Sequence, residues 1–96
     1  MNECCKKKIR GEAEHRALIN RLSRIEGQIR GIRGMVDEDA YCVDILTQVS
    51  AVESALAAFA RELLSRHIKE CVVEDIRNEK YDTVDELVET VTRFMK

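Results

Sequence analysis

AYCVDILTQVSAVESALAAFARELLSRHIKECVVEDIR, residues 40–77, contains neither proline nor glycine and carries apolar residues at helical spacing. Ile45, Leu46, Val49, Val52, Leu56, Phe59, Leu63 and Leu64 recur at three- and four-residue steps, which is one face of an amphipathic helix. Nothing breaks that pattern before Asn78. A helix starting between Ala40 and Cys42 and running that far is ~50 Å long at 1.5 Å per residue, longer than a small globule is wide. One short neighbour cannot cover it, so a second copy of the chain is the economical cover.

Upstream, Leu18, Leu22, Ile25, Ile29, Ile32 and Val36 step by four, three, four, three and four. This heptad seam predicts a first helix over residues 13–36. Gly27, Gly31 and Gly34 each cost it roughly 1 kcal/mol against Ala, so it depends on packing. Asp37-Glu38-Asp39 supplies the turn into the second helix. Thr83-Val84-Asp85-Glu86 has the form of a capping box, with Thr83 as N-cap and Glu86 at N3. It predicts a third helix with Val84, Leu87, Val88, Val91 and Phe94 on one stripe. Residues 1–12 lack an apolar period and read as a mobile arm, leaving one domain over 13–96. The expected fold is all-α: a three-helix protomer with a long second helix, paired with a second copy.

Composition narrows the function. Ninety-six residues allow one small domain, and 45% apolar content excludes disorder. No uninterrupted apolar run approaches the roughly 18 residues of a membrane span, and the charged N-terminus has no apolar signal core. A cytoplasmic chain with no membrane partner is expected. The net charge of −2 hides a polarity: residues 1–34 hold nine Lys/Arg against four Glu, and residues 35–96 hold seven against fourteen Asp/Glu. The basic first third points to an anion-binding face. No Ser/His/Asp arrangement, paired carboxylates or glycine-rich phosphate loop is present, so the chain is read as no enzyme.

The four cysteines, in a reducing compartment, read as thiols. His67 and Cys71 stand at i and i+4 on the second helix and share one face. Cys42 lies 25 residues before His67, ~37 Å away along a continuous helix. The three cannot meet within one straight helix, but they can if this helix packs antiparallel on that of another subunit, which gives two intersubunit sites per dimer. Two thiolates and an imidazole form a soft, three-coordinate donor set that favours Cu(I), although zinc with a fourth, water ligand also fits.

On a helical wheel with Leu18 at zero, Arg16, Arg24 and Arg30 project to about 160°, 240° and 120°, away from the seam, while Arg21 and Arg33 flank it. Guanidinium groups on a rigid helix suit phosphate contact. Arg61 and Arg66 on the second helix extend that surface. No helix-turn-helix, zinc finger or RNA-binding motif accompanies them.

NRLSRIEGQIRGI (Asn20–Ile32), AYCVDIL (Ala40–Leu46), QVSAV (Gln48–Val52) and His67-x-x-x-Cys71 together resemble the CsoR family of copper-sensitive operon repressors, over roughly residues 15–95. The resemblance implies a three-helix protomer assembled into dimers and disc-shaped tetramers. It implies Cu(I) ligation by Cys42, His67 and Cys71, with Tyr41 and Glu86 placed around the site. It also implies a repressor that binds operator DNA without metal, through a helix 1 arginine matching Arg21, and releases it when Cu(I) binds. Sister groups sense nickel or cobalt, formaldehyde or sulfur species. Cys71 argues against the formaldehyde group and His67 favours metal over persulfide or sulfide. His15 stands where some nickel sensors recruit an extra histidine, and Cys4-Cys5 is a departure from the family pattern. A cytosolic copper carrier or a helical assembly module is the alternative of another class.

Overall fold

Helical hydrogen bonding begins at Gly11, whose extended backbone (φ −62°, ψ 159°) turns the chain into the first helix and whose carbonyl accepts from the His15 N–H at 2.9 Å. The computed structural model describes residues 10–94; the expected arm with Cys4 and Cys5 lies almost wholly outside them. Helix α1 spans Glu12–Asp37, with Glu12 and Glu14 in its first turn, where carboxylates favour the exposed N–H groups. Helical winding resumes at Cys42 and continues to Arg77 as α2, and α3 spans Asp82–Phe94. The described residues contain no strand. The all-α, three-helix reading holds, with helix bounds within about two residues of those expected from periodicity.

Both α1 and α2 end in the same way. The Ala40 N–H donates to the Met35 carbonyl at 2.9 Å and the Asp39 N–H to Val36 at 3.1 Å. The Lys80 N–H donates to Asp75 at 2.8 Å and the Glu79 N–H to Ile76 at 3.0 Å. These are two Schellman motifs, each with a residue in the left-handed region, Asp39 at φ 56° and Glu79 at φ 59°. The position normally given to glycine is filled twice by an acidic residue. In the first of them, the acidic run Asp37-Glu38-Asp39 does form the predicted turn.

The chain divides into two compact units, residues 10–62 and a second beginning at Leu63. In the first, Leu18 and Ile25 of α1 and Val52 of α2 are the buried apolar residues, on the predicted seams. Leu22, Ile29 and Val36 of α1, and Val43, Leu46 and Leu56 of α2, stay exposed. A single copy therefore covers only part of each apolar stripe. In the second unit, Cys71 and Val72 are buried together with Asp75 and Thr83.

Three expectations need correction. The second helix is not α-helical throughout: Ile68–Val72 is wound as a π-helix before α-helical geometry returns at Val73. Thr83 is not an N-cap, because α3 already begins at Asp82 and the Val84 and Asp85 N–H groups donate to the Tyr81 carbonyl. Its hydroxyl instead donates to the Asp75 carboxylate. No uninterrupted apolar run reaches the length of a membrane span, since Asp44 and Glu53 break the stretch, although α2 as a whole is long and apolar enough by length and composition to cross one. The cause is its alanine-rich middle, where small apolar residues fill the positions between the seam residues. On α3, Val84, Leu87 and Val91 are half-buried while Val88 and Phe94 are exposed, so the buried stripe is narrower than predicted.

Candidate metal centre and nucleic-acid face

Cys42 is the first residue of α2 and is exposed, next to Tyr41, whose side chain stands in solvent and whose carbonyl accepts from the Asp44 and Ile45 N–H groups. His67 is half-buried at the last regular α-helical position. Cys71 follows within the π turn, only 4% exposed. Both thiols are free.

The π turn decides which residue of HIKEC faces inward. From Leu63, a regular helix returns to the same face near Glu70, after seven residues and 700°. A π turn closes its hydrogen bonds over one extra residue, so everything beyond it is re-registered by about one position. Counted from the neighbouring Leu64 the seam reaches Cys71 and Asp75, and the π turn shifts the inward face toward these two and away from Glu70 and Glu74. Accordingly Glu70 and Glu74 are exposed, whereas Cys71 and Asp75 are buried. A signal for this was present: the apolar seam, continued from Leu63, lands on two glutamates.

Among the described residues, no three His, Cys, Asp or Glu side chains of one chain converge on a common point. His67 and Cys71 are brought near one another by α2, and Cys42 stands at the first residue of the same helix. Helix α3 packs on the π turn, and the Thr83–Asp75 hydrogen bond fastens its first turn to the end of α2. Glu86, expected near the metal by resemblance, is exposed one turn further along α3. With Thr83 engaged elsewhere, a capping box no longer accounts for Glu86.

On α1, Arg16, Arg21, Arg24, Arg30 and Arg33 are all exposed. They do not form one row. Arg16 is tied to Glu12 at 3.0 Å, and beyond it Arg10 faces Glu14 at 3.3 Å. Arg21 and Arg24 instead line a cleft of about 320 Å³ with Ile25, Gln28 and Ala55. Arg30 and Arg33 lie on the other flank of the seam, at about 120° and 60° on the wheel. Gln28 was not singled out from sequence, although its i+4 spacing from Arg24 and i+7 spacing from Arg21 place it on their face. On α2, Arg61 is exposed and Arg66 half-buried, and His15 is exposed near the start of α1.

A family model described as metal-sensitive transcriptional repressor matches residues 14–93. The chain belongs to this family. The copper-sensing transcriptional repressor CsoR of Bacillus subtilis is 45% identical over 80 residues, covering 82% of this chain and 79% of that one. The copper-sensing repressor RicR of Mycobacterium tuberculosis is 54% identical over 56 residues, 58% of either chain. Among solved structures, the copper-sensing repressor CsoR with Cu(I) from Geobacillus thermodenitrificans superposes with a TM-score of 0.88 at 39% identity, over 92% of this chain and 93% of that one. The nickel-responsive regulator InrS gives 0.71 at 42% identity, over 82% and 90%. Membership in this repressor family gives α2 a different reading from a membrane span. Its apolar face, uncovered in one copy, is the kind of surface that another helix buries.

Proposed function

We propose that the chain is a Cu(I)-responsive repressor that holds operator DNA when metal-free and releases it when Cu(I) binds. One observation carries the reading: two free thiols and an imidazole lie on one helix, Cys42 at its first residue and the pair His67 and Cys71 25 or more residues further along. In this reading Cys42 of one copy completes the pair His67 and Cys71 of a second copy in an antiparallel dimer, and two dimers stack into a tetramer. The donor set fits the metal, because thiolates prefer soft Cu(I), whereas Ni(II) favours a square arrangement of nitrogen and oxygen donors. Bound there, Cu(I) supplies strong sulfur bonds that fix the two helices against each other. The names of the copper-sensing relatives support the same choice.

Tyr41, beside Cys42, and Glu86, on the helix packed over the π turn, are the groups positioned to steady the ligands. Arg16, Arg21, Arg24, Arg30 and Arg33 face DNA phosphates, and Arg16 must give up Glu12 to do so. No catalytic step is involved, and a cytoplasmic site of action follows from DNA as the partner. Release follows from linkage: Cu(I) weakens DNA binding only to the extent that it binds the DNA-free conformation better. A preference of about 2–3 kcal/mol weakens operator affinity roughly 30- to 150-fold.

The nickel-responsive neighbour supports a second reading, Ni(II) at the same residues. The test uses a DNA fragment selected from a random pool by the metal-free protein, titrated anaerobically with Cu(I), Ni(II) or a persulfide donor. Cu(I) is expected to release the fragment from wild type and not from His67→Ala, which still binds DNA when metal-free. Release by Ni(II) alone, by persulfide alone, or by Cu(I) from His67→Ala with wild-type amplitude contradicts the proposal.

A further inference from the structure

Asp75 and Thr83 are buried polar residues, 5% and 8% exposed, and they are hydrogen-bonded to each other. Neither belongs to the ligand set nor to the arginine face. Burying a carboxylate is costly unless its hydrogen bonds are satisfied, so the structure holds this pair at a place where an apolar contact would serve packing equally well. Their position gives the reason. Asp75 stands one turn after Cys71, beyond the π turn that turns both side chains inward, and Thr83 stands in the first turn of α3, which packs on that turn. The chain link between the two helices is also pinned at Asp75, whose backbone carbonyl accepts from the Lys80 N–H at 2.8 Å.

We propose that the Asp75–Thr83 hydrogen bond is the tie that makes α3 follow Cys71, so that a change in the segment Ile68–Asp75 on ligation is passed to α3 as one movement. This inference rests on the copper-repressor reading for its signal, and on the local geometry alone for the tie. Beside the hydrogen bond, α3 offers half-buried Val84, Leu87 and Val91, whose apolar packing is non-directional and able to slide. With the hydrogen bond, the first turn of α3 is fixed to one residue of α2. Asp75 and Thr83 are thus positioning residues that act through Cys71.

Thr83→Val keeps the shape and removes the donor, Thr83→Ser keeps the donor, and Asp75→Leu/Thr83→Val replaces both members of the hydrogen bond by apolar groups. Two readouts apply to full-length protein. In the metal-free, DNA-free protein, alkylation of Cys71 by iodoacetamide is followed by peptide-resolved mass spectrometry. The rate is expected to rise at least about tenfold in Thr83→Val and in the double variant, and to stay near wild type in Thr83→Ser. In the second readout, the Cu(I)-triggered weakening of DNA binding is expected to fall below about fivefold in the double variant, with Cu(I) still bound at one per chain, and to be retained in Thr83→Ser. Unchanged Cys71 reactivity and wild-type release in a folded double variant overturn the tie. Absence of copper-triggered release in the wild type overturns the functional reading instead, and the alkylation result then decides the tie by itself.

Discussion

Glu79 shows how much a single residue reveals about the balance of this chain. It sits at φ 59°, where a Cβ clashes with its own backbone, and it does so to complete the hydrogen bonds that close α2. Glu79→Gly removes that clash at a small entropic cost, and we expect a gain of about 0.5–1 kcal/mol in urea unfolding. A loss in stability would mean that the Glu79 side chain makes a compensating contact in the assembly. The arginines of α1 divide by a similar local rule. Arg16 is held by Glu12 at 3.0 Å, while Arg21 and Arg24 face a cleft. Arg21→Ala is expected to reduce the slope of log K against log salt for DNA binding by about 0.9, the loss of one phosphate contact. It is expected to leave the Cu(I) affinity of DNA-free protein unchanged. An unaltered salt slope removes Arg21 from the DNA face. At this scale the candidate ligands were legible in the sequence, because cysteine and histidine types and their spacing are written there. The partners were not: nothing in Thr83-x-x-Glu86 distinguishes a capping threonine from one that reaches eight residues back to Asp75.

Helices α1 and α2 were legible because a heptad seam is a periodic signal that survives a few poor formers. Gly27, Gly31 and Gly34 do not interrupt α1, which runs unbroken from Glu12 to Asp37. Gly31 is exposed and a Cβ there meets nothing within 4 Å. Gly31→Ala is therefore expected to stabilise the chain by about 0.8–1 kcal/mol through helix propensity, measured by denaturant unfolding. Destabilisation would show that another copy closes on this position. The π turn was not legible in the same way. A helical wheel assumes one constant angle per residue, and the extra residue within Ile68–Val72 changes that angle only locally. Its trace is the mismatch between the seam and the glutamates at 70 and 74. Such widened turns are often found at functional sites, and here the turn carries one candidate ligand and follows directly on another.

For the whole molecule, the exposed leucines, isoleucines and valines of both long helices and the divided donor set have one explanation. The apolar stripes of α1 and α2 are only partly covered in a single copy, and Cys42 lies 25 residues before His67 along α2. In the proposed assembly, a symmetric antiparallel pair would cover the stripes and complete two sites in one step. The length of α2 was readable from sequence, and it is what motivates this proposal, since a ~50 Å helix outgrows the cover one short neighbour supplies. The most direct test mixes a Cys42→Ala chain with a His67→Ala/Cys71→Ala chain, each unable to form a site with itself, and titrates the isolated heterodimer anaerobically with Cu(I). The account predicts one intact site per heterodimer, half the wild-type number, with wild-type affinity. A verified heterodimer that binds no Cu(I) at that affinity would contradict it.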